Sequence, residues 1–177
     1  KGKKTVINGL ALPGIVEIYA SNWMSQVPDD VLINKLSLPG TGGSFSYNYS
    51  RTNPNWYRSQ VIDFESQWKL GIRAFEVPSD RPSDSSSSLG GQNVTCNKTS
   101  VGLTVNDVLN LLVAKIKANP KETAVLVLTY QPAGSWGNGR NASNYASSLK
   151  VWYSSLSEDV RGVLTLYKPG MTVGEAR

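Results

Sequence analysis

The residues of this chain that could do chemistry are few, because the sequence contains no histidine. The commonest general acid and base is therefore missing, and so is the commonest neutral metal ligand. The remaining candidates are Glu76, the nearby acidic residues Asp80 and Asp84, and the adjacent glycines Gly42 and Gly43. The carboxylates could hold calcium, which prefers oxygen ligands. The glycines could bring backbone N–H groups close to a phosphate, or could simply form a flexible turn.

Alternating strand and helix patterns predict the elements that position these residues. Strands are predicted at 35–38, 72–77, 124–130 and 162–166, and helices at 59–70, 104–118 and 143–156. The strand at 124–130 is apolar throughout, as expected of a parallel strand covered on both faces. The order of the elements predicts an α/β fold with right-handed crossovers.

The helix at 104–118 carries the clearest local signals. Thr104 with Asp107 predicts a capping box, and Asn119-Pro120 stops the run. Its apolar residues recur at three- and four-residue steps, which predicts a core-facing stripe. Gly71 is expected to end the helix at 59–70, and Thr172 with Glu175 predicts a further helix cap. The polar segment 79–91, with its four-serine run, predicts a loop.

Several motifs occur in an order that resembles the X domain of the phosphatidylinositol-specific phospholipase C family. They are Asn22-Trp23-Met24, the run KLSLPGT at 35–41, the run GIRAFEV at 71–77, and the run NPKETAVLVL at 119–128. The resemblance covers roughly residues 20 to 177 and implies a TIM-barrel-like (β/α) fold of the phospholipase C-like phosphodiesterase type. Residues 1–20 are then a basic lead-in segment, and residues 21–177 are a partial barrel domain.

The barrel is expected to be incomplete or truncated at the C-terminus. Because a closed (β/α)₈ barrel takes at least about 200 residues, a chain of 177 residues should lack its last two or three βα units. The chain could be a piece of a longer product. It could also be a complete protein with an open sheet edge, covered by its own loops or by a protein partner that completes the barrel.

The resemblance also implies where a site would lie and what has changed there. In the family a histidine and an aspartate or asparagine follow Pro-Gly-Thr, and Gly42 and Gly43 stand at those positions here. Glu76 keeps the carboxylate that ends the second strand, whereas Pro78 replaces an arginine or second carboxylate and offers neither charge nor an N–H. A second family histidine follows the next strand, where Asn93 is the nearest match.

These departures predict a loss of catalysis. The family's reaction is an attack by the inositol 2-hydroxyl on phosphorus, which needs a base, an acid and a positive charge. Losing the acid and the base, at about 10²–10⁴-fold each, should leave activity near background. We therefore expect a non-catalytic binding or structural module for an inositol phosphate, a lipid headgroup or a protein partner. Polar residues expected at the strand ends suit a polyol, namely Asn93, Asn97, Tyr130 and Gln131.

Two other functions stay open. The first is an active phosphatidylinositol phospholipase C-type enzyme in which Glu76, with Asp80 or Asp84, holds a calcium ion that replaces the histidine base. The second is an inactivated variant of an enzyme, in which Gly42, Gly43, Pro78 and Ser79 replace functional residues. Apart from this calcium ion, no cofactor is expected.

Composition excludes some further classes of protein. The net charge of +5 includes Lys1, Lys3 and Lys4, and no dense Lys/Arg cluster follows, which argues against nucleic acid binding. Cys96 is the one cysteine, so no internal disulfide can form. No apolar run reaches the 18 or so residues that cross a bilayer. Glycosylation sequons at Asn48, Asn93, Asn97 and Asn141, together with the resemblance, favour a secreted glycoprotein.

Overall fold

The structure, a computed structural model, describes residues 20–49, 58–80, 88–97, 99–131 and 142–177. The lead-in segment lies outside the described residues except for Ala20, and so do Asp84, Asn141 and most of the serine-rich loop. Five strands are formed by the described residues: β1 (Gly40–Thr41), β2 (Ala74–Ser79), β3 (Asn93–Cys96), β4 (Thr99–Thr104) and β5 (Val125–Tyr130). The α-helices of the same ranges are α1 (Phe64–Lys69), α2 (Val105–Ala118), α3 (Ala142–Ser155) and α4 (Glu158–Arg161).

Strand β2 is the centre of the sheet. It pairs in parallel with β5 along its whole length, from Ala74 opposite Val125 to Ser79 opposite Tyr130. On its other side β2 pairs in parallel with β1 over two residues, and then in antiparallel fashion with β3 through Ser79 and Val94. The predicted α/β fold with a parallel sheet is therefore present, with an antiparallel β3–β4 hairpin added to it.

Two predicted strands are wrong. The first strand begins at Gly40 instead of Lys35, because Ile33–Lys35 forms a 3₁₀ turn, in which the N–H groups of Lys35 and Leu36 donate to Leu32 and Ile33, and Pro39 has no N–H to pair. Residues 162–166 form no strand with any described residue. Val163 and Leu164 of that segment instead pack against the apolar cluster under α3.

Strand β2 also runs two residues further than predicted and passes through Pro78. The carbonyls of Arg73 and Ser79 accept hydrogen bonds from the N–H groups of Val125 and Gln131, at the two ends of β5. The carbonyl of Glu76 points the other way and accepts from the Ser44 N–H. Because backbone groups alternate in direction along a strand, the missing N–H of Pro78 falls on the side away from β5. The longest ladder of the sheet is therefore unaffected by the proline.

The helix predicted at 59–70 begins only at Phe64. Asp63 caps it by accepting a hydrogen bond from the Ser66 N–H at 2.7 Å, and Gly71, with a φ of 91°, ends it as predicted. The longer helix α2 and its capping box are confirmed, since Thr104 and Asp107 exchange both hydrogen bonds. Val105, Val108, Leu109 and Leu112 of the predicted stripe are buried, as is Val113, whereas Ile116, also part of that stripe, packs against the core but is only partly buried. Trp68 and Trp152 are also core residues.

A buried ion pair fixes the amino ends of β2 and β5. The Arg73 guanidinium lies 2.8 Å from the Glu122 carboxylate, and both side chains are almost fully buried. Arg73 also donates to the backbone carbonyls of Trp68 and Ser21, and Glu122 accepts from the Ser25 N–H at 2.8 Å. This network joins the segment Ala20–Gln26 to the sheet, and burial lowers the pKa of Arg73 against the opposing effect of Glu122.

The last described residues pack against the first. Met171 and Val173 are buried with Met24 and Ile33, and Leu32 forms an antiparallel bridge with Thr172. The predicted cap is present, because the Thr172 N–H donates to the Glu175 carboxylate and the Glu175 N–H donates to the Thr172 hydroxyl. A single 3₁₀ turn, Gly174–Ala176, follows it.

Candidate functional site

A polar cleft of about 500 Å³ opens at the carboxyl ends of the parallel strands. Gly42 and Gly43, which follow β1, line it together with Glu76 and Pro78 of β2 and Gln131, which follows β5. Ligand sites of α/β barrels and open α/β sheets lie at this end of the strands. The structure therefore brings together four of the five positions to which the resemblance pointed.

Glu76 joins three elements at the floor of the cleft. One carboxylate oxygen, Oε2, accepts a hydrogen bond from the Gly43 N–H at 2.9 Å. The other, Oε1, accepts from the Thr129 hydroxyl of β5 at 3.0 Å. The carboxylate thus holds the turn after β1 to the two central strands and still lines the cleft.

The Gly42–Gly43 turn has a defined conformation, held by hydrogen bonds to Glu76. Gly43 has a φ of 53°, and a Cβ atom there would lie 3.0 Å from the Ser59 hydroxyl oxygen. The next residue, Ser44, donates its N–H to the Glu76 carbonyl at 2.9 Å. Because the Gly43 N–H is already bonded to Glu76, it does not face outward as the phosphate donor considered from the sequence.

Asn93 does not line the cleft, contrary to its match with the family's second histidine. It begins β3, is exposed, and pairs with Thr104 across the hairpin. Because β3 runs antiparallel to β2, it is the far end of β3, with Cys96 and Asn97, that lies beside Glu76 and the glycine turn. Asn97 has a φ of 44°, which asparagine tolerates better than most residues.

The wall between β3 and β5 carries hydroxyl, amide and thiol groups. The Thr95 hydroxyl donates to the backbone and side-chain oxygens of Gln131, at 3.4 Å each. Cys96 is 6% exposed, and burial raises the pKa of its thiol although a backbone hydrogen bond from Ser59 acts in the opposite direction. Tyr130, also expected here, instead packs against Tyr145, with the ring centroids 5.9 Å apart.

Two residues that the sequence did not predict as part of the site line the cleft beside the glycine turn. Ser59 and Gln60 line the cleft, and the Gln60 amide donates to the Gly42 carbonyl at 3.1 Å. They come from the segment before α1, which the sequence predicted as helix. Their only sequence signal was polarity, which most surface residues share.

The described residues contain no group of three or more acidic, cysteine or histidine side chains close enough to share a metal ion. Glu76 has both oxygens engaged by protein donors, and Asp80 is not among the residues that line the cleft. Asp84, the other proposed ligand, lies outside the described residues.

The fold and the cleft define an α/β half-barrel whose site lies at the carboxyl edge of its parallel strands. Solved bacterial phosphatidylinositol-specific phospholipases C share this fold. A pentafluoro-Phe-incorporated H258X form from Staphylococcus aureus matches with a TM-score of 0.70 at 18% identity, over 89% of this chain and 50% of the other. The Listeria monocytogenes enzyme matches with a TM-score of 0.54 at 23% identity, over 73% of this chain and 43% of the other.

In sequence, the chain is similar to a 1-phosphatidylinositol phosphodiesterase of Listeria monocytogenes. The two are 28% identical over 131 residues, which is 72% of this chain and 38% of the relative. No family model matches the chain. The chain therefore spans about two fifths of the curated relative that it matches and half or less of the solved structures. These matches confirm the predicted resemblance to phosphatidylinositol-specific phospholipases C and a fold that corresponds to part of their barrel.

Proposed function

We propose that this protein is a pseudoenzyme of the phosphatidylinositol phospholipase C-like superfamily, which binds an inositol-type ligand or lipid headgroup in the cleft without cleaving it. The observation that carries the proposal is the set of groups at the base of the cleft. Positions 42 and 43 present no side chain, and the Glu76 carboxylate that remains is hydrogen-bonded to Gly43 and Thr129. A carboxylate held in this way supports a role in shaping and recognition.

The chemistry of cleavage gives the second argument. Attack on a phosphodiester needs a base for the hydroxyl, an acid for the leaving oxygen and positive charge for the developing phosphorane. The sequence has no histidine to serve as base or acid. Pro78, which lines the cleft where the family places an arginine or carboxylate, carries no charge.

The names of the relatives support the choice of ligand. The Listeria relative is a phosphatidylinositol phosphodiesterase, and the structural neighbours are phosphatidylinositol-specific phospholipases C. A cleft at the same end of the same fold is the natural place for a related ligand. An extracellular location is part of this proposal. No helix among the described residues is long and apolar enough to cross a bilayer.

Vesicle binding and hydrolysis, measured together, test this function. The full chain is mixed with phosphatidylcholine vesicles with or without phosphatidylinositol, in calcium and in chelator, and both co-sedimentation and soluble inositol phosphate are measured. We expect sedimentation that depends on phosphatidylinositol but not on calcium, with no soluble product. Release of inositol phosphate well above the protein-free control would show an active enzyme instead. Loss of that release in Glu76→Ala would then assign it to Glu76.

A pair of glycine variants tests whether the cleft is the binding site. At Gly42 an added side chain would point at the Glu76 carboxylate, 3.3 Å from the new Cβ, and would fill the cleft. At Gly91, outside the cleft, a Cβ meets nothing within 4 Å. We expect Gly42→Leu to abolish binding to phosphatidylinositol vesicles and Gly91→Leu to leave it unchanged. Equal binding by both variants would place the lipid contact elsewhere.

A further inference from the structure

We infer that Gln67 is a positioning residue of the cleft, a buried amide on α1 that holds the Gly42–Gly43 turn in place before any ligand arrives. This inference rests on the proposed function, because the turn belongs to the proposed binding site. It adds a residue that does not line the cleft and acts on binding only through the turn.

The burial of Gln67 is unusual for its residue type. Its exposed fraction is 0%, and it lies on the buried face of α1 with the aromatic residues Phe64 and Trp68. Glutamine is found mostly at protein surfaces, and a buried amide costs free energy unless its polar atoms have partners. The partners of this amide therefore indicate what the residue does.

The amide of Gln67 bonds to both flanks of the glycine turn. Its Oε1 atom accepts a hydrogen bond from the Thr41 hydroxyl at 2.7 Å, and its Nε2 atom donates to the Ser44 carbonyl at 2.7 Å. Thr41 directly precedes the glycine pair, and Ser44 directly follows it. The Nε2 atom also donates to the Ile62 carbonyl at 3.0 Å, so both of its N–H groups are used. One side chain thus fixes the two ends of the turn relative to each other.

A second buried side chain, Ser46, joins the chain after the turn to the segment before α1. Its hydroxyl oxygen accepts hydrogen bonds from the N–H groups of Ser59 at 3.0 Å and of Gln60 at 2.8 Å. Ser59 and Gln60 line the cleft beside the turn. The turn is therefore attached to α1 and to the segment before it, whereas its bonds to Glu76 attach it to β2.

A turn held between β2 and α1 has its conformation set in the absence of ligand. Binding to a preformed site avoids the loss of conformational freedom that ordering a loop would cost. Removing the Gln67 amide leaves the turn with its contacts to β2 and takes a donor from the carbonyls of Ser44 and Ile62. We expect the turn to open more often and binding to weaken as a result.

Backbone amide hydrogen exchange, followed by NMR on the full chain, tests the inference without a ligand. Gln67→Met keeps a side chain of similar length but removes three hydrogen bonds, each of which contributes up to about a tenfold change in an equilibrium. We expect the Gly43 and Ser44 amides to exchange at least about tenfold faster, and more so than the amides of α2. The control, Leu109→Ala, removes packing in the apolar cluster under α3 and should speed exchange at the turn no more than in α2.

The partner of Gln67 on β1 gives a test by a conservative change. Thr41→Val removes the donor to Gln67, whereas Thr41→Ser keeps it. We expect the turn amides to exchange faster in the first variant and at the parental rate in the second. If Gln67→Met does not fold, this pair of variants decides the question. Equal exchange at the turn in Thr41→Val and Thr41→Ser would overturn the inference.

Vesicle binding separates this inference from the proposed function. Faster exchange at the turn of Gln67→Met together with weaker co-sedimentation with phosphatidylinositol vesicles would support both. Faster exchange with unchanged co-sedimentation would overturn the role of Gln67 in positioning the binding site. Turn amides as protected in Gln67→Met as in the parent would overturn the inference whatever the vesicles show. If the parent does not bind the vesicles, the proposed function fails, and the exchange rates still decide whether Gln67 positions the turn.

Discussion

At the scale of single residues, Glu76 combines a structural role with an accessible charge. It bonds to the turn after β1 and to β5, yet its carboxylate still lines the cleft. Because a carboxylate oxygen can accept two hydrogen bonds, each oxygen of Glu76 can accept one more from a ligand in a fixed geometry. The recognition role proposed for Glu76 rests on this combination.

The labelling rate of the Cys96 thiol can report on how accessible the cleft is, because Cys96 lines it. The sequence has no other cysteine, and this one is 6% exposed with a thiol whose pKa is raised by burial. Because only the thiolate reacts, we expect a disulfide reagent such as DTNB to label the folded protein more slowly than the protein in urea. The rate should still be rising above pH 9, and myo-inositol should slow it further. A rate that levels off below pH 8 would contradict the raised pKa.

The sequence identified some site residues but not others, for a physical reason. Glu76 lies within a run that resembles the family, and Gly42, Gly43 and Pro78 directly follow such runs, which predicted their place at strand ends. Asn93 was placed wrongly, because the position of β3 depends on its antiparallel pairing with β2, which no local pattern specifies. Ser59 and Gln60 were missed because they reach the cleft only through the folding of the segment before α1.

At the scale of elements, local signals predicted α2 well because the helix carries them within its own residues. Its capping box and its buried stripe are both encoded over short distances. The strands were less certain, since a strand is defined by its partner. Residues 162–166 have the composition of a strand, but among the described residues they meet side chains of the α3 cluster instead of a pairing edge.

The cap of α2 gives a prediction with a pH dependence. The pKa of Asp107 is lowered, first by the hydrogen bond from the Thr104 backbone and then by that from its hydroxyl. A carboxyl whose pKa is lower in the folded state stabilises the fold above its unfolded pKa, and this contribution is lost as the pH falls. We expect Thr104→Ala to cost about 1 kcal/mol of unfolding free energy near pH 7.

The matched variant for the charge itself is Asp107→Ala. Its destabilisation relative to the parent should be largest near pH 7. It should shrink as the pH falls below about 4, where the carboxyl of the unfolded chain becomes protonated, and continue to shrink through the lower pKa of the folded carboxyl. Urea unfolding at several pH values measures both variants. A penalty for Asp107→Ala that is the same at pH 3 and pH 7 would contradict the contribution of the charged cap.

At the scale of the whole molecule, the buried ion pair and the polar cleft lie at opposite ends of the parallel strands. The Arg73–Glu122 pair ties the amino ends of β2 and β5 to the segment Ala20–Gln26. The cleft lies at the carboxyl ends. β5 pairs only with β2 among the described residues, and Val127 and Tyr130 are 43% and 40% exposed, so the predicted cover on both faces is incomplete.

Breaking the buried Arg73–Glu122 pair should strongly destabilise the fold. Glu122→Ala leaves the fully buried Arg73 without its partner, and we expect a loss of about 3–5 kcal/mol of unfolding free energy. The control is Glu65→Ala. Its side chain is 48% exposed, so its ion pairs with Lys69 and Lys115 lie at the surface and should contribute about 1 kcal/mol or less. Denaturant unfolding measures both. Similar losses in the two variants would show that burial does not set the strength of the Arg73 pair.

The positive φ of Gly43 makes the two glycines of the turn unequal as places for a side chain. An L side chain at position 43 would be strained in this left-handed conformation. A Cβ at Gly42 meets only the end of the flexible Glu76 side chain, whereas at Gly43 both backbone strain and Ser59 oppose one. A side chain at position 43 therefore requires the turn to be remodelled, whereas one at position 42 requires only a shift of the Glu76 side chain, so the first glycine of the turn can be replaced more readily than the second.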